Sequence, residues 1–168
     1  MGLRRLLDGP RAAGGRLYFP TGRYLTTPLV LRKPGVGIEL GPGALLQHPA
    51  PSDPTTLAAS SAQQGEARGG SPPPPPPAGR CSDAAFLTVA APHTYLGGRG
   101  GTFDTNGFAG HSLCIADAAN VTVESALFRG SASWSTHIFR SRGVTVRGVK
   151  LFSGADGFDP DNSQQVLL

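Results

Sequence analysis

The sequence has few of the residues and runs that mark several common protein classes. Its two cysteines, Cys81 and Cys114, lie in neither a CxxC nor a Cys/His spacing, so no zinc site is indicated and one disulfide is possible. No run of about 18 apolar residues could form a membrane helix, and the apolar run in MGLRRLLDGP is too short for a signal peptide. We therefore expect no membrane partner and find no export signal, and the compartment stays open.

Charge is also sparse, with 15% charged residues and a net charge of +4. A basic surface would suit a polyanion such as a polyuronate or a nucleic acid. However, 13 of the 15 basic residues are Arg, and the abundance of Ala, Gly, Pro and Arg fits a biased coding composition. The arginines are scattered without the interleaved aromatics of single-strand nucleic-acid sites, so no nucleic-acid partner is expected.

Glycine and proline are abundant instead, with 24 and 16 residues. They favour short strands and turns, and no amphipathic helix is convincing beyond Leu3 to Leu7. Residues 49–82 contain six consecutive prolines, Gly/Ser-rich flanks and no apolar period, so we predict a disordered insertion there. On either side, apolar runs such as LVL, IEL and FLTV are bounded by Gly or Pro and predict strands.

A repeat of about 22 residues runs through the second half. NVTV begins at Asn120, GVTV at Gly143 and QVLL at Gln165, and each follows another strand-like segment. The leucine-rich-repeat pattern is absent, so a parallel β-helix fits better, with coils stacked at about 4.8 Å around aliphatic ladders. We predict one inward ladder of Val121, Val144 and Val166, a second of Val123, Val146 and Leu168, and matching positions for Phe128 and Phe152.

Several segments resemble glycoside hydrolase family 28, the polygalacturonases, within the pectin-lyase-like right-handed β-helix superfamily. They are GGRLYFPTGRYLTTPLVLR, GIELGPGALLQ, GRGGTFDTNG, SWSTHIFRSRGVTVRGVKLFS and GADGFDPDNSQQVLL, and together they cover residues 14–48 and 84–168 in the family's order. The resemblance implies an all-β, right-handed parallel β-helix, a single-stranded solenoid of about five coils. Residues 1–168 would form one partial domain, truncated at its C-terminal end.

The resemblance also implies inverting hydrolysis of α-linked galacturonan in a pectin-type polysaccharide, without a cofactor or metal. Asp156 matches the aspartate of the family's Asn-Thr-Asp motif and would be the water-activating base. Asp159 and Asp161 would organise the turn and its electrostatics, and His137 of the Trp-x-x-His match could face the substrate. Gly154 and Ala155 replace the motif's Asn-Thr.

The family's Gly-Asp-Asp pair would fall just beyond Leu168, so the proton-donating acid is not expected in this chain. We therefore expect an inactive N-terminal fragment of a secreted type of glycosidase, and we leave open whether this chain is an enzyme. An unfinished coil would expose strand edges and apolar side chains, which predicts self-association.

Simpler structural roles for the same residues, and other functions for the chain, also stay open. The three aspartates are also typical of a polar turn, and a calcium loop is disfavoured because the EF-hand glycine and distal glutamate are missing. Trp134 is expected in the core or at a coil edge, and His111 has no partner that the sequence identifies. The alternative functions are a non-catalytic glycan-binding β-helix and a polysaccharide lyase or epimerase of the same superfamily.

Overall fold

The computed structural model describes residues 14–50, 85–153 and 156–168, which form strands and turns and no helix. The described residues accordingly hold no helix long and apolar enough to cross a membrane. The strands are β1 (Gly15–Phe19), β2 (Gly22–Leu25), β3 (Leu29–Leu31), β4 (Val36–Leu40), β5 (Ala44–Gln47), β6 (Ala85–Val89), β7 (Tyr95–Asp104), β8 (His111–Ala116), β9 (Ala119–Ser131), β10 (Thr136–Phe139), β11 (Arg142–Arg147), β12 (Lys150–Ser153), β13 (Phe158–Asp161) and β14 (Gln164–Leu167).

These strands stack as a parallel solenoid with three faces. The first face runs β1-β4-β7-β9-β11-β14, and the third face runs β3-β6-β8-β10-β13. The second face is built from β2, β5, the later halves of β7 and β9, and β12. The third face has five strands, one for each of coils 1 to 5, and β14 begins a further coil. The predicted all-β parallel β-helix of about five coils is therefore confirmed.

Aliphatic ladders fill the interior, as the repeat predicts. Val121 pairs with Val144, and Val144 with Val166, while Val123 pairs with Val146 in the neighbouring ladder. The predicted extension of the second ladder to Leu168 is wrong, because β14 ends at Leu167 and Leu168 is 60% exposed. A side chain beyond the last strand has no partner to continue the ladder.

The predicted match of Phe128 with Phe152 is also wrong. Phe128 is fully buried and stacks on Phe103 with ring centroids 4.8 Å apart, and its partner on the next coil is Leu151. Phe152 pairs instead with Arg129 and is 64% exposed. Because successive side chains of a strand point to opposite faces, this shift of one residue moves Phe152 from the core to the surface.

One corner of every coil is closed by a residue in the left-handed backbone conformation. The strand pairings beside these residues place each above the last, and we call them the corner column: Gly14, Gly35, His93, Asn120, Gly143 and Gln165, at φ 65°, 73°, 58°, 55°, 63° and 53°. Left-handed backbone is costly for most L-residues, so its recurrence shows that the coil geometry determines it. The corner turns the chain from the third face into the first.

The predicted insertion of residues 49–82 lies between β5 and β6. Its residues 51–82 fall outside the described part of the chain, as do residues 83 and 84, while Pro49 and Ala50 continue from β5. The solenoid resumes at β6, which pairs with β3 of the coil before and β8 of the coil after. The division into one partial domain with an insertion stays a prediction.

Candidate functional site

The three aspartates of the last coil lie together on the outer side of the third face. Phe158 packs against the core, so the next residue of β13, Asp159, lies on the opposite side of the strand. Asp156 and Asp161 are exposed, and Asp159 is half-buried. We call Asp156, Asp159 and Asp161 the acidic row. Strand rise places the Cα atoms of Asp159 and Asp161 roughly 6.6 Å apart.

An aromatic row lies beneath the acidic row, on coil 4, and consists of Trp134, His137 and Phe139. Parallel pairing aligns His137 with Asp159 and Phe139 with Asp161. The backbone N–H of Ser135 donates to the carbonyl of Asp156 at 2.8 Å, which puts Trp134 level with Asp156. Each carboxylate therefore lies one coil spacing from a ring of the aromatic row.

His137 connects the two rows. Its Nε2 atom lies 3.9 Å from Oδ2 of Asp159, and its side chain is 11% exposed against 36% for that of Asp159. Its ring also contacts Trp134 edge to face at 5.3 Å and Phe139 at 5.9 Å. These contacts place the imidazole beside Asp159, at a separation longer than a hydrogen bond.

His111, on coil 3, supports the aromatic row from the other side. Its ring stacks on that of Trp134 with centroids 5.2 Å apart and an angle of 7° between the planes, and it contacts His137 at 5.7 Å. Burial, followed by the proximity of His137, lowers the pKa of His111 below 6.5. His111 is therefore mainly neutral near pH 7, as suits a ring packed face to face on an indole.

Several polar atoms around this stack are buried without a hydrogen-bond partner among the described residues. They are Nδ1 of His111 and the side-chain oxygens of Thr88, Ser112, Ser135 and Thr136. Ser112, Ser135 and Thr136 are at most 1% exposed and lie in or next to β8 and β10. Such groups cost free energy. Ser135 and Thr136 directly follow Trp134 in the chain, whereas Thr88 lies two coils from the aromatic row.

A basic side chain, Arg140, lies at the edge of the aromatic row and is paired with Asp117. Nη2 of Arg140 lies 2.7 Å from Oδ2 of Asp117, and the guanidinium lies 4.7 Å over the ring of Phe139. Cys114 lies level with His137 on coil 3 and is disulfide-bonded, which the two-cysteine sequence allowed. Cys81 lies outside the described residues.

The four site residues predicted from sequence are thus neighbours on one face. The structure brings Asp156, Asp159, Asp161 and His137 together, although their roles stay predictions. Gly154 and Ala155 lie outside the described residues. In the described part of the chain, no group of three or more His, Cys, Asp or Glu side chains could hold a metal ion.

Sequence reasoning missed the stack of Trp134 on His111. Trp134 is 37% exposed, so it lies at the surface of the coil, and His111 has a partner after all. The spacing that defines the repeat contains the signal for this column. His111, Trp134 and Asp156 are separated by 23 and 22 residues, the same steps as Asn120, Gly143 and Gln165.

Comparison with known proteins supports the fold and no narrower family. No protein-family model matches the chain, and no curated protein matches it. Among solved structures, the chain is similar to a candidate glycosyl hydrolase from Parabacteroides merdae ATCC 43184, with a TM-score of 0.65 and 20% identity. The match covers 91% of this chain and 70% of that chain. The likeness is one of fold.

Proposed function

We propose that this chain belongs to a glycosidase of the polygalacturonase type, which acts on a pectin-type polysaccharide with inversion. The observation that carries the proposal is the acidic row beside an exposed tryptophan on one face of a parallel solenoid. Glycosidases use pairs of carboxylates, and aromatic rings commonly pack against sugar rings. The fold shared with a candidate glycosyl hydrolase supports the same class of activity.

In this proposal Asp156 is the base that activates water. It is exposed just before β13, where water and a sugar can both reach its carboxylate. Asp159 lies beside His137 and so has a positioning role, while Asp161 contributes to the field at the end of the row. An ionised Asp156 would take a proton from water as the water attacks the anomeric carbon.

The leaving oxygen requires an acid from another position. An inverting pair is separated by roughly 6.5 to 9.5 Å, which leaves room for the water. On coil 4 the positions beside the acidic row are Trp134, His137 and Phe139, none of which is a carboxylic acid. Coil 4 therefore offers no such acid, and we propose that the 168-residue chain alone does not cleave the polysaccharide.

A substrate with a good leaving group tests Asp156 without that acid. Dinitrophenyl α-galacturonide and its methyl ester release a weakly basic phenolate, which needs no protonation. The chain should hydrolyse at least one of them faster than buffer and give the β-anomer first by NMR, while polygalacturonate should yield no reducing sugar.

Asp156→Asn provides the control, since it keeps the shape of the side chain and removes the base. The loss of general base catalysis should slow phenolate release by about 10²- to 10⁴-fold. An unchanged rate in Asp156→Asn, or an α-anomer as the first product, would contradict the proposal. Binding of oligosaccharides without any phenolate release would favour the alternative of a non-catalytic glycan-binding solenoid, which the Trp134–His111 stack supports.

A further inference from the structure

The aromatic and acidic rows together define a surface with distinct chemical requirements. One face of the Trp134 indole is covered by His111, and its edge is held by His137. Trp134 is level with Asp156 of the next coil, because the N–H of the following residue, Ser135, donates to the carbonyl of Asp156. A flat, fixed ring with 37% exposure is thus presented next to an exposed carboxylate.

Among the described residues, the charged side chains at this surface are mainly acidic. The acidic row places three carboxylates along a single coil, with Asp156 and Asp161 exposed. Arg140, the basic side chain that contacts the aromatic row, is engaged with Asp117 at 2.7 Å. A ligand carboxylate held roughly 5 Å from one ionised aspartate would lose about fourfold in affinity even in water. Hydroxyl groups, by contrast, donate hydrogen bonds to carboxylates.

We propose that Trp134, Asp156 and Asp159 form a subsite for an uncharged sugar ring, so that within a pectic chain a methyl-esterified or neutral residue is taken in preference to a free uronate. The ring packs its C–H face on Trp134 and donates its hydroxyls to the two carboxylates. The pectic identity of the ligand rests on the proposed function, whereas preference for an uncharged ring does not.

The chain contains one tryptophan, so its fluorescence reports this surface alone. Trigalacturonate and its fully methyl-esterified form are matched probes that differ in charge. The ester should change Trp134 fluorescence and bind at least about fourfold more tightly than the free acid at low salt. The difference should shrink in about 1 M salt, where charges are screened beyond roughly 3 Å.

Substitutions test which side chains contribute to binding of the sugar. Trp134→Ala should weaken binding of the ester about tenfold by calorimetry, and Trp134→Phe should restore part of it, because an aromatic side chain again offers a flat surface to the sugar. Phe152→Ala is the matched control: Phe152 is 64% exposed but lies on the second face, so affinity should not change. Asp159→Asn should reduce the discrimination between ester and acid.

Three outcomes with the two trigalacturonate probes would overturn the inference. They are equal or tighter binding of the free acid at low salt, an ester that binds without altering Trp134 fluorescence, and the same affinity in Trp134→Ala as in the unmodified chain. A tighter complex with triglucosamine than with the ester would likewise overturn it in favour of a cationic ligand. These experiments measure binding, so their outcome is independent of the phenolate-release assay that tests hydrolysis.

Discussion

The stacking of coil 4 on coil 5, which aligns Trp134 with Asp156, can be tested at the corner column. Gly143 has φ +63°, and a Cβ atom added there would lie 2.9 Å from Oδ1 of Asn120, the residue directly below. Gly143→Ala therefore introduces backbone strain and a close contact with the end of the Asn120 side chain. The three atoms nearest to the added Cβ all belong to Asn120.

The expected loss of stability follows from two effects. Left-handed backbone costs an alanine roughly 1–2 kcal/mol, whereas the exposed side chain of Asn120 can rotate away from the added methyl group at little cost. Reduced freedom of the unfolded chain offsets about 0.4–1 kcal/mol of this loss. Gly143→Ala should thus lower the free energy of unfolding by about 1 kcal/mol and Tm by about 2–4 °C, measured by circular dichroism during heating.

Two companion variants test whether backbone strain accounts for the loss. In an Asn120→Gly background the neighbouring oxygen is absent, and Gly143→Ala should still cost about 1 kcal/mol. Gly100→Ala should cost a similar amount, because Gly100 has φ +86° and nothing lies within 4 Å of an added Cβ. If Gly143→Ala costs nothing, the left-handed corner at this position is refuted.

Two further predictions concern pH and assembly. The pKa of His111 lies below 6.5 in the folded state, so the unfolded state binds more protons and the free energy of unfolding should fall as pH drops through 6.5. Urea midpoints at about pH 7.5 and about pH 5.5 should show this, His111→Gln should lessen it, and an equal pH dependence in both would contradict it. The end of the solenoid holds an open depression of about 440 Å³, lined by Val146, Val149, Phe158 and Leu167 among others, next to the unpaired edge of β14. We expect a mass that rises with concentration in sedimentation, less so for Leu167→Lys, whereas a constant monomer mass would count against self-association.

The fold could be predicted because its information is periodic. Val121, Val144 and Val166 repeat at the coil spacing, and the corresponding β-strands stack in that register. The positions after a corner are harder to predict, because β9 bends at Ser125, with φ 52°, inside a continuous strand. The sequence does not show at which residue a coil turns. An error of one residue therefore matched Phe128 with Phe152 and not with Leu151.

The grouping of the candidate site residues could be predicted where charged residues mark it and could not be predicted where packing determines it. Asp156, Asp159, Asp161 and His137 stand out by residue type and by motif. Trp134 and His111 belong to no apolar alternation, and their contact joins the turn before β10 to the start of β8. Only the stacking of whole coils brings such residues together, so their partnership follows from the register rather than from either local segment.

The corner column also determines how such a chain can change its length during evolution. Asn120 and Gly143 occupy the same point of successive coils, and Val121 and Val144 both enter the first face from it. Duplicating or deleting one complete coil between two such points would join equivalent backbone conformations and keep every inward residue inward. A change of one residue within a strand would instead move every side chain beyond it to the opposite face of that strand. The natural unit of insertion in this protein is therefore the coil, and the proposed sugar-binding surface on the third face could be lengthened in steps of one strand.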